Sequence, residues 1–219
     1  MKFLKLLSVF ALSVSFVPGA SAARREDRAK PAVKGAAHGT AAADLKMTMR
    51  KLWTDHTVWT RDYIIAAVDD KPDAMAAANR LMKNQEDIGN AIAGYYGAAA
   101  GQQLTSLLKQ HISIAVDLIK AAKAGNKTAQ KQADDKWQAN AVDLATFLSK
   151  ANPNWPQATL VDMMKTHLST TTAEVVARLT KDYDGDVRAY DAVYEHILMM
   201  SDALSDGIVK QFPEKFKAS

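Results

Sequence analysis

The chain of 219 residues contains no cysteine. That excludes a disulfide framework, a thiolate metal site, haem attached through C-x-x-C-H and a cysteine nucleophile, so stability has to come from a packed core. Long apolar runs are scarce as well. After Val17 nothing approaches the roughly 20 consecutive apolar residues that a membrane-crossing helix needs. Strand signals are missing, because no alternating β-branched runs are joined by hairpin turns. Nucleophile and phosphate motifs are missing too, with neither G-x-S-x-G, G-x-x-x-x-G-K-[ST] nor G-x-G-x-x-G present. The glycine-rich stretch Gly94 to Gly101 has no strand before it to make it a nucleotide loop.

A surplus of one charge is absent from the body of the chain. From Leu45 to Ser219 there are 21 basic and 21 acidic residues, so the net +4 belongs to the N-terminal part. A nucleic-acid binder normally carries a basic face on the domain itself, and no nucleic-acid partner is expected here.

What is present begins with an export signal. Lys2 and Lys5 precede an apolar run from Leu6 to Val17, Pro18-Gly19 breaks it, and Ala20-Ser21-Ala22 has the A-x-A form of a cleavage site. A signal peptide over 1–22 is expected, cut near Ala22/Ala23, with a periplasmic or secreted product that keeps no transmembrane segment. Residues 23–43 are rich in Ala, Gly, Lys and Arg without apolar periodicity, the composition of a disordered basic leader.

The remainder, 44–213, is all-α by pattern. Breaks at Asp69-Asp70-Lys71-Pro72, Gly94–Gly97, Gly125-Asn126, Asn152–Pro156 and Asp182–Gly185 predict six helices near 44–69, 72–93, 98–124, 127–151, 157–181 and 185–212. An internal repeat runs through them. Leu52–His56, Leu107–His111 and Met163–His167 align, with the histidines 55 and 56 residues apart. Six residues after the first two lie Asp62 and Asp117; the third copy has Ala173, with Glu174 one place on. Further along come Asn84, Asn140 and His196, and three beyond those Asp87, Asp143 and Met199. The expected fold is a six-helix bundle of three repeated antiparallel hairpins. Each first-helix histidine is expected to face the Asn or His of its own second helix, since the two stand equally far from the turn.

Apolar stripes such as Leu52, His56, Trp59, Tyr63 and Leu104, Leu107, His111, Leu118 turn the imidazoles inward. Two readings of this polar layer stand. In one it is structural, with buried imidazoles hydrogen-bonded to Asn84 and Asn140 to fix the hairpin register. In the other, His56, His111, His167 and His196 hold a divalent transition metal or another cofactor, with Asp62 and Asp117, and nearby Asp87, Asp143 and Glu174, to complete a mixed N/O shell. No H-E-x-x-H, Glu-x-x-His or i, i+4 histidine pair supports the second. Four tryptophans (53, 59, 137 and 155) serve as bundle anchors or line an apolar pocket. The nine methionines read as core filler. Arg61 is expected to pair with a carboxylate such as Asp62 or to stack on a ring.

The segment Leu52-Trp53-Thr54-Asp55-His56-Thr57-Val58-Trp59-Thr60-Arg61-Asp62-Tyr63-Ile64-Ile65 resembles a group of short uncharacterised bacterial helical-bundle proteins. Shared features extend to His111, to Trp137–Asp143 and to the ending Gly207–Phe212, covering about 45–213. The resemblance implies a common helical fold and attention to His56, Trp59 and Arg61; it supplies no activity. The first functional reading is therefore a non-catalytic binding or envelope-interaction module with an envelope component or small ligand as partner. A metal- or cofactor-binding bundle is the alternative, and a His/Asp acid–base enzyme the second alternative.

Overall fold

A computed structural model describes residues 41–217; the expected signal peptide and the leader up to residue 40 lie outside the described residues. The described chain is built of six helices: α1 (Ala41–Val68), α2 (Ala74–Tyr96), α3 (Ala98–Lys123), α4 (Lys127–Ala151), α5 (Gln157–Leu179) and α6 (Tyr183–Gln211). A 3-10 turn, Pro213–Phe216, closes them. Every expected helix is present, with ends within three residues of expectation. Two boundaries need correction. Ala41–Ala43, expected in the leader, form the first turn of α1, and Gly94, expected as a break, lies inside α2. A lone helical glycine costs only about 1 kcal/mol, so α2 continues until Gly97, whose φ of 88° no ordinary residue adopts cheaply.

The turns inside the successive helix pairs share one geometry. After α1, α3 and α5 the chain enters the left-handed region at Asp70 (φ 55°), Gly125 (φ 66°) and Lys181 (φ 61°). The next amide then reaches back to a carbonyl five residues earlier: Lys71 N to Ala66 O at 2.8 Å, Asn126 N to Ala121 O at 3.0 Å, Asp182 N to Ala177 O at 2.9 Å. This is the Schellman ending of a helix. Residues 70, 125 and 181 repeat the 55- and 56-residue spacing of the histidines, so each motif follows its histidine at a fixed distance. Asn126 and Asp182 then cap the outgoing helices through Ala129 N and Gly185 N, replacing orphan-amide solvation with a hydrogen bond.

Successive helices pack side by side, and α6 closes back on α1, with α1 also touching α3 and α5 across the interior. Glycines set the closest approach. A Cβ on Gly89 would lie 2.6 Å from the Gly101 carbonyl, and one on Gly101 the same distance from the Gly89 carbonyl, so α2 and α3 meet backbone to backbone. Gly207 leaves room for the Trp155 indole. The main core, with Met49, Ile88, Ile197 and Ile208 almost wholly buried, occupies the part of the bundle away from the three Schellman turns. Each such side chain contributes about 1.5–3 kcal/mol by leaving water. A smaller cluster around Tyr63, Ile64, Ile119 and Val175 lies toward the turns. At the far end Asn152 donates to Tyr96 Oη (2.8 Å), which donates to Gln211 Oε1 (2.8 Å), tying α2, α4 and α6 together. No described helix is long and apolar enough to cross a membrane.

Candidate functional site

The repeated histidines meet. His56 on α1, His111 on α3 and His167 on α5 are all buried, and the His167 ring lies 5.8 Å from that of His56 and 5.9 Å from that of His111. Helical phase brings them in: each sits on the inward stripe of an odd-numbered helix.

Behind each ring the second-helix residue makes the same contact. Asn84 Nδ2 donates to Leu52 O (2.9 Å), Asn140 Nδ2 to Leu107 O (3.2 Å), and His196 Nε2 lies 2.8 Å from Met163 O. In every case the carbonyl belongs to the residue one helical turn before the histidine. The expected direct facing pair occurs once, where His111 Nδ1 and Asn140 Oδ1 stand 2.7 Å apart. For His56 the neighbour is Gln85 Nε2 at 3.3 Å, itself bonded to Asn84 Oδ1. Nothing in the sequence singled out Gln85, which only the register of α2 against α1 brings inward. His196 spends its donor on Met163 and does not bond His167.

These partners fix protons. Trp137 Nε1–H donates to His111 Nε2 at 3.0 Å, so His111 carries its proton on Nδ1 and gives it to Asn140. The His111 imidazole thus has no lone pair left for a metal or for base catalysis. His56 Nδ1 faces the Gln85 amide nitrogen, so its proton sits on Nε2, which has no hydrogen-bond partner among the described residues. His167 Nδ1 and the hydroxyl of buried Thr171, one turn on, are also without partners. Burial holds the His56 imidazolium down to a pKa of about 3, helped by the charge of His111. Burial brings His111 to about 4 and pushes His167 well below its ordinary value. Three neutral rings therefore form this layer at neutral pH.

The proposed carboxylate companions are elsewhere. Asp62, Asp117 and Asp143 are exposed, and Asp87 lies at the surface bonded to Lys83 Nζ at 2.7 Å. The reason is phase: six residues turn a helix through about 600°, leaving Asp62 and Asp117 about 120° away from the inward histidine stripe. Among the described residues no group of three or more His, Asp or Glu is placed to hold a metal ion, so the mixed shell is not assembled. Among the described residues no carboxylate hydrogen-bonds any of the three rings. Arg61 turns from Asp62 to longer-range partners. It bonds Glu174 Oε1 at 2.8 Å and both Asp186 oxygens at 3.0 Å, with Tyr190 stacked 4.5 Å from its guanidinium. Burial raises Glu174 to about 7 against the pull of Arg61. Trp59 lies half-buried under Arg80, 5.4 Å from its ring centre.

The histidine layer divides two unlike spaces. On its main-core side lies a void of only about 40 Å³. Toward the turns lies a cavity of about 590 Å³, walled largely by Ile112, Val116, Ile119, Val175 and Leu179, with the three histidines and Trp137 lining it. It opens along the thinnest seam of the bundle, between α4 and α5, where Lys127, Lys131, Val176 and Thr180 are exposed. The sequence flagged Trp137 as a pocket candidate; the cavity itself depends on how α4 and α5 diverge, which no local pattern encodes.

No known family, curated protein or solved structure matches the chain. The geometry alone must carry the function.

Proposed function

We propose that this is an exported, non-catalytic small-molecule-binding bundle whose ligand occupies the cavity above the histidine layer. One observation carries the reading: an apolar cavity of about 590 Å³, within the usual range for ligand sites, is lined by buried polar groups that lack partners, His167 Nδ1 and Thr171 Oγ1. Buried polar atoms left unpaired cost about 1–3 kcal/mol each, and a ligand oxygen relieves that cost. Export is proposed from the Lys2–Ala22 pattern. We also read the three hairpins as copies of one unit, supported by the shared histidine, carbonyl contact and left-handed turn, and as kin of the bacterial group with the His56–Trp59–Arg61 motif.

N-phenylnaphthylamine, a neutral fluorophore, tests the cavity. Its fluorescence should rise saturably at one molecule per chain, and Ala115→Phe, which puts a ring into the cavity wall, should abolish the rise while circular dichroism stays helical. A rise that does not saturate, or one indifferent to the plug, rejects the reading. Stoichiometric zinc, copper or iron in untagged protein, lost on His167→Ala, would replace it with the metal-bound alternative.

A further inference from the structure

Resting on the cavity reading above, the geometry points to a ligand class: an uncharged, largely apolar molecule with one hydrogen-bonding oxygen, a hydroxyl or carbonyl, seated on the histidine floor.

The walls decide the body of the ligand. They are aliphatic on α3 and α5, and the inner part of the cavity carries no charged side chain; its charged residues, Lys127, Lys131 and Asp134, all belong to the first turns of α4 at the mouth. These charges balance locally. Lys131 pairs with Asp135 at 2.7 Å, Lys127 donates to Gln130 Oε1 at 3.4 Å, and Asp134 follows on the same helix, so two lysines and two aspartates leave the mouth without net charge for an ionic headgroup.

The floor decides the polar end. Of its three rings, His111 is saturated by Trp137 and Asn140 and offers nothing. His56 lines the cavity with its Nδ1 turned to Gln85, which leaves the proton on Nε2, a donor that a ketone, quinone-like carbonyl or hydroxyl oxygen accepts. Thr171, which lines the same cavity with its hydroxyl unpartnered, can donate or accept as well. The rings are held neutral by burial, so a carboxylate there would meet no cation and an ammonium no anion. Either would bear the full cost of a buried, uncompensated charge. An oxygen without charge satisfies the donors and keeps its apolar body against the walls.

Calorimetry of the full chain with three probes of equal body tests this: naphthalene, naphthol and naphthoate. Naphthol should bind about tenfold more tightly than naphthalene, the worth of one good net hydrogen bond, and naphthoate more weakly than either. His56→Phe and Thr171→Val combined should erase the advantage of naphthol and leave naphthalene unchanged. Because Thr171→Val alone removes an unpartnered hydroxyl, it should fold normally and by itself reduce the advantage. Naphthoate binding as tightly as naphthol, or an advantage that survives both substitutions, overturns the ligand class while leaving the cavity reading intact. If no probe binds, or Ala115→Phe changes nothing for any of them, the cavity reading falls as well.

Discussion

At the scale of single residues, the histidine layer holds three rings of one type in three different states of satisfaction. His111 sits between an indole donor and an amide acceptor, so both of its nitrogens are used; His56 uses one, and His167 leaves Nδ1 bare. A single deletion separates a structural ring from one available to a ligand. Trp137→Phe preserves most of the buried area but removes the proton aimed at His111 Nε2. It should cost about 1–3 kcal/mol in urea unfolding, since an acceptor stays buried without its donor. In the folded variant, nitrogen-detected NMR should keep the His111 proton on Nδ1, where Asn140 Oδ1 still accepts it, and should shift the Nε2 resonance to that of an acceptor without a donor. An unchanged stability and an unshifted Nε2 would mean that the indole does not bond this ring.

At the scale of elements, close approach and turn geometry decide where helices can lie. Gly89 and Gly101 bring the backbones of α2 and α3 into contact, and a methyl on Gly89 has the Gly101 carbonyl at 2.6 Å. Gly89→Ala should therefore destabilise by about 1–3 kcal/mol through overpacking. Gly94→Ala, in the same helix with open space around it, should stabilise by up to about 1 kcal/mol. Thermal unfolding of the two variants should move in opposite directions; a shared direction would deny that α2 and α3 are held at glycine contact. Helix ends were legible in the sequence because proline, glycine and capping residues punctuate them. The inward histidines were legible because apolar neighbours at helical spacing mark the stripe. The likeness of the three turns was hidden, since Asp70 and Lys181 hold a left-handed position that sequence reading grants to glycine. Asp62, Asp117, Asp87 and Asp143 were misread because recurrence at a fixed interval says nothing of phase, and phase sends them to the surface. The cavity was out of reach altogether, being a property of the seam between α4 and α5 rather than of any segment.

At the scale of the whole molecule, the buried layer couples folding to acidity. His56, His111 and His167 have folded pKa values below that of a free imidazole, down to about 3 and about 4 for the first two. Below about pH 6.5 the unfolded chain binds protons that the folded chain refuses, so their contribution to stability is lost as the pH falls. Glu174 works the other way. Its folded pKa of about 7 lies above the unfolded value, so between roughly pH 7 and 4.5 the folded chain binds the extra proton and gains stability as the pH falls. Three groups against one leave a net loss of roughly 2–3 kcal/mol per pH unit between about pH 6 and 4.5. Urea midpoints should therefore drop steeply across that window. Replacing His167, the ring with the most imidazole neighbours, by Asn should flatten the drop by about half, since two histidines against one glutamate leave one net proton in place of two. A neutral ligand in the cavity, binding only the folded chain, should raise the whole curve without changing its slope. A ligand that forces a ring to protonate would instead make the curve shallower as the pH falls, and that would contradict an uncharged occupant on an uncharged floor.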